Sequence, residues 1–84
     1  MTISRDYIGR LSRDMRAFGW AGGTIERRRE LRGEVSALGR YLAGTGRADL
    51  IRLAGQAEAA SDKHVDEHLD HIAEILFNEG RDSI

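Results

Sequence analysis

Between Thr24 and Leu42 the sequence TIERRRELRGEVSALGRYL places Leu31, Val35, Leu38 and Leu42 three or four positions apart. That rhythm lies along one face of an α-helix and fits no strand, whose side chains alternate with a period of two. Wound as a helix, the segment carries three stripes. The leucines and valine form the first, Glu26, Glu30 and Glu34 the second, and Arg28, Arg29, Arg32 and Arg40 the third, together with Ser36, Gly39 and Ala43. A helix with one apolar stripe must bury it against other amphipathic elements, so this segment limits what the rest of the chain can be.

Three further segments supply such elements. Residues 3–18 read as a first helix, capped by Thr2 or Ser4, with Tyr7, Leu11, Met15 and Phe18 inward, Ile3 and Ile8 beside them, and Gly19 as the residue that ends it. The glycine-rich loop GWAGG follows, with Trp20 expected to plug one end of the core, and Thr24 caps the second helix over 24–43. Gly44-Thr45-Gly46 ends that helix. A third is expected over 47–60 with Leu50, Leu53, Ala54 and Ala57 inward, and a fourth over 62–79 with Ser61 as cap and Val65, Leu69, Ile72 and Leu76 as its stripe. No Pro or Gly separates the last two, so a continuous rod is the competing reading. Running the stripe of the fourth helix backwards reaches Asp62, Glu58 and Gly55, none a core residue, and this phase mismatch favours a break. The expectation is an all-α fold: a small antiparallel bundle of three to four helices in a single domain over residues 1–84. Gly9, Gly33, Gly39 and Gly55 fall inside helices, and a close helix approach is expected at Ser36-Gly39-Ala43. A chain of 84 residues buries only about 60–65% of its unfolded surface. That, with the glycines and the charge layout, raises the expectation of a homodimer.

The net charge of −1 conceals an uneven layout. Residues 1–47 hold ten Arg against five acids, whereas residues 48–84 hold three basic residues against nine acids. Either each half meets a charged partner, or the halves fold together and neutralise one another. The acidic surface is expected on the fourth helix, with Asp62, Asp66, Glu67, Asp70 and Glu74 solvent-facing. The basic candidates are Arg5, Arg13 and Arg16 on the first helix and Arg28, Arg29 and Arg32 on the second. Twelve of the thirteen basic residues are Arg, which suits bidentate contacts with carboxylate or phosphate.

Enzymatic chemistry has little to stand on. There is no Cys, no GxSxG motif, and a single Lys, Lys63. The glycine-rich loop lacks GxxxxGK[ST] and follows no strand, so a phosphate cradle is not expected. His64, His68 and His71 run down one flank of the fourth helix. His64 and His68 have the i, i+4 spacing of a zinc pair, but Val65 stands where HExxH needs Glu, and His71 lies too far along the helix to join the same ion. They are weak metal candidates, and no metal or cofactor is expected. No apolar run approaches the ~18 residues of a membrane span or the core of a signal peptide. With no cysteine in the chain, a cytoplasmic protein is expected.

The expected function is a non-enzymatic protein-interaction module. Its sharpest form is a small inhibitor of the phage or mobile-element anti-defence type, whose acidic helix blocks a basic, nucleic-acid-handling surface of a larger protein by Coulomb steering. The alternative is a small nucleic-acid-binding accessory protein using the Arg faces. Against that alternative stand a pI near 6.3 and the glutamates interleaved with the second Arg cluster.

Overall fold

A computed structural model of the chain describes residues 2–84. Four helices follow one another: α1 (Arg5–Ala21), α2 (Ile25–Ala43), α3 (Ala48–Ala59) and α4 (Val65–Asn78). Each packs on two others, in the cyclic order α1–α4–α3–α2, with the α1–α4 pair the most extensive and α1–α2 the least. The stripes of α2, α3 and α4 are all buried, and α1 adds Ile8, Leu11 and Met15. Ile8 is fully buried, while Tyr7 and Phe18, expected in the stripe itself, pack at the core margin. No helix is long and apolar enough to cross a membrane.

Local chemistry explains most helix ends. The Ser4 hydroxyl accepts the Tyr7 N–H at 3.0 Å and the Thr24 hydroxyl accepts the Arg27 N–H at 3.0 Å, each satisfying a donor that the first turn leaves free. Helix α1 runs three residues past the expected end at 18. Its closing residue is Gly22 (φ 79°), whose N–H bonds to the Phe18 carbonyl at 2.7 Å, rather than Gly19. Gly19 has a different role. A Cβ there would stand 2.9 Å from Lys63 Cα and nearer still to the Asp62 carbonyl oxygen, so the lack of a side chain lets α1 lie directly against the α3–α4 turn. This is the tight backbone approach of the fold. Gly39, where one was expected, faces only the flexible Glu58 carboxylate.

Helices α3 and α4 are separate, joined through residues 60–64. Ser61 does not cap α4: the helix starts at Val65 behind His64, with no side-chain cap. Arg32 binds the other side of the break, donating from Nη2 to the carbonyls of Glu58 and Ala60 at 3.1 Å each. A side chain from α2 thus satisfies the free carbonyls at the end of α3. At the far end of the molecule Ile3 and Ile84 exchange backbone hydrogen bonds at 3.3 and 2.9 Å, and the Tyr41 hydroxyl donates to the Ile84 carbonyl at 2.7 Å.

Trp20 does not plug the core. It is 70% exposed, because the extension of α1 carries it past the last layer of packed side chains. The accessible surface of 5041 Å² is close to the roughly 5,000 Å² of a folded chain of this length.

Candidate interaction surface

On α4, Asp66 and Asp70 stand one turn apart on the flank that meets α1, and on α1, Ser12 and Arg16 stand one turn apart on the flank that meets α4. The two pairs interlock. The Ser12 hydroxyl donates to the Asp66 carbonyl at 3.3 Å and to the Asp70 carboxylate. Arg16 donates from Nε to Asp66 Oδ2 and from Nη2 to Asp70 Oδ2, both at 2.7 Å. The bond to Asp66, then the charge of Asp70, raise the Arg16 pKa further above its ordinary value.

Asp66 is therefore not part of a solvent-facing row. It is 7% exposed, and its Oδ1 meets no protein donor. The sequence placed it opposite the core stripe, but it lies only about 100° round the helix from Val65, within reach of a neighbouring helix. Asp62 is also drawn inward, to Arg28 Nε at 2.8 Å and Arg32 Nη1 at 3.7 Å. The acids left facing outward on α4 are Glu67, Asp70 and Glu74. Glu67 also faces His64 Nδ1 at 3.2 Å.

The basic candidates divide in the same way. Arg16, Arg28 and Arg32 are held by the chain's own acids, and Arg5 pairs with Asp82 at 3.7 Å while lying 5.1 Å over the Phe77 ring. Arg13 and Arg29, with Arg10, form no ion pair among the described residues. The two halves of the chain thus partly neutralise each other through α1–α4 and α2–turn contacts.

What remains open on this side is one shallow groove of about 830 Å³ between α1 and α4. Arg5, Arg10 and Arg13, with Asp6 among them, line the α1 wall, and Asp70, Glu74 and Phe77, the last 65% exposed, line the α4 wall. Of the two surfaces that the sequence offered as rivals, Asp70 and Glu74 from one and Arg5 and Arg13 from the other thus line the same groove. Phe77, which no sequence motif nominates, lies off the stripe of Leu69, Ile72 and Leu76 and so faces the groove. Arg10 and Ser12 carried no signal, since their roles depend on α4.

Among the described residues no three His, Asp or Glu side chains converge as a metal site would require. His68 is half-buried and His71 exposed. Compared with protein-family models, curated proteins and solved structures, the chain matches none of them. An exposed aromatic ring flanked by charges of both signs is suited to non-covalent docking, with the ring as anchor and the charges as rim.

Proposed function

We propose that the chain is a single-domain, non-enzymatic protein-interaction module that docks a partner protein on its α1–α4 face. The observation carrying this reading is the exposed Phe77, under the Arg5 guanidinium, in a groove lined by Arg10 and Arg13 of α1 and by Asp70 and Glu74 of α4. A nucleic-acid backbone presents one sign of charge to every contact, so the acids of this groove oppose it, whereas a protein surface can match both signs. In its specific form the module is an inhibitor: the outward row Glu67, Asp70 and Glu74 occupies a basic, nucleic-acid-handling surface of a larger cytoplasmic protein. Antiparallel packing of successive helices through short turns belongs to the same reading.

The test is affinity capture with variant panels. Glu67→Lys, Glu74→Lys and Phe77→Asp are expected to lose the captured partner while keeping helicity and melting temperature. Arg29→Glu, on the opposite side of the bundle, is expected to keep it. Retention of all three variants would overturn the proposal. If the chain instead binds DNA, with affinity falling steeply in salt and lost in Arg10→Glu and Arg13→Glu, the nucleic-acid alternative replaces it.

A second reading is a homodimer across this groove. Among the described residues Arg13 and Glu74 form no ion pair, and they share the groove, so a two-fold copy can pair them reciprocally. A mass of one chain by light scattering at high micromolar concentration would exclude it.

A further inference from the structure

A second surface lies at the other end of α4, about 18 Å from Phe77 along the helix axis. Here the end of α1, the start of α2 and the α3–α4 turn converge. Trp20 is 70% and Ile25 75% exposed, the two most exposed of the large apolar side chains. Lys63 Nζ stands 4.9 Å from the centroid of the Trp20 ring. The neighbouring Asp62 grips Arg28 at 2.8 Å, and Arg28 lines a shallow depression on α2 together with Ile25 and Arg29. Trp20, through Lys63, and Ile25, through the depression it shares with Arg28, thus both flank the 62–63 turn at this end of the bundle. The patch is firmly mounted. Gly19, next to Trp20, lies against the Asp62 and Lys63 backbone, and Arg32 holds the carbonyls of Glu58 and Ala60.

We propose that Trp20, Ile25, Lys63 and Arg29 dock an acidic peptide segment of a partner protein, with an apolar side chain of that segment on Trp20 and Ile25 and flanking carboxylates on Lys63 and Arg29. Three observations favour this occupant. Lys63 and Arg29 form no ion pair with the protein's own acids, so each has a charge to offer. An exposed tryptophan is among the side chains that most often anchor protein interfaces, and here a cation, Lys63, stands against its ring. Glu26 and Glu30 are the chain neighbours of Ile25 and Arg29, and the chain's net charge is −1, so neither an anionic membrane plane nor a nucleic-acid strand is attracted as a whole. A peptide places its carboxylates only where the cations are. This surface is independent of the α1–α4 groove.

Trp20 is the only tryptophan of the chain, so its emission reports on this site alone. The probe is a short capped peptide of Glu and Asp interrupted by two Leu, fluorescently labelled for anisotropy and unlabelled for tryptophan emission. The expected result is saturable binding with a blue shift of the Trp20 emission. Arg29→Glu and Lys63→Glu, both at exposed positions, should each weaken binding by about tenfold with the circular dichroism spectrum unchanged. Phe77→Asp should leave it unchanged, so failure here and failure of the groove proposal are read separately. Absence of saturable binding would overturn the inference, as would binding indifferent to both charge reversals. So would a Trp20 shift produced by an oligothymidine strand or by phosphatidylserine vesicles and not by the peptide.

Discussion

Arg16 Nε lies 2.7 Å from Asp66 Oδ2, and this contact ties the basic half of the sequence to the acidic half. A carboxylate drawn into a helix interface loses its water, and a cation and hydrogen bonds must replace it. Arg16 supplies both, and in reaching Asp70 as well it fixes the neighbouring turn of α4.

Removing the clamp should therefore cost stability. Arg16→Met is expected to lower the melting temperature, because the buried Asp66 side chain loses its partner. Arg13→Met, at an unpaired position of the same helix, is expected to leave it nearly unchanged. Ser12→Ala, which deletes a buried hydroxyl bonded to α4, should cost about 1 kcal/mol. Thermal circular dichroism decides, and equal melting points for Arg16→Met and Arg13→Met would show that the clamp contributes nothing.

The core prediction concerns Leu38, which is 1% exposed at the centre of the α2 stripe. Leu38→Ala should destabilise by about 2–4 kcal/mol in chemical denaturation. A loss below about 0.5 kcal/mol would mean that this position is not packed.

Glycines inside helices should respond with opposite signs. Gly33 and Gly55 face open space, so Gly33→Ala and Gly55→Ala should each stabilise by about 0.5–1 kcal/mol through helix propensity. Gly19→Ala must push α1 off the Asp62 backbone, and should destabilise by about 1–3 kcal/mol. If Gly19→Ala melts above the parent protein, the close approach of α1 to the α3–α4 turn is absent in solution.

The acid limb of stability should contain Asp49. Hydrogen bonds from Arg47, then from its neighbour's backbone N–H, hold this carboxyl below its ordinary pKa, and that N–H, from Leu50, lies 2.9 Å away. A carboxylate whose folded pKa is depressed adds stability that is present above the unfolded pKa and is lost as pH falls through the folded one. Asp49→Asn should therefore flatten the loss of stability below about pH 4. Parallel stability curves for the two proteins between about pH 4 and pH 2 would rule out this contribution.

The sequence by itself determined the helices and their inward stripes, because a period of 3.6 assigns every residue an angle about its own axis. Leu31, Val35, Leu38 and Leu42 needed no neighbour to be read as core, and Ser4 and Thr24 could be read as caps from local hydrogen bonding. Only the tertiary structure decided which flanks are covered. Asp66 and Asp70 belong to the same side of α4, yet one is buried and the other half open, because Arg16 and Ser12 reach across from α1. Trp20 is exposed and Gly19 is pressed against backbone for a similar reason: both depend on where the α3–α4 turn settles, some forty residues further along the chain. Angle about a helix axis is encoded locally, but the identity and distance of the element facing that angle arise only when the four stripes close on one another.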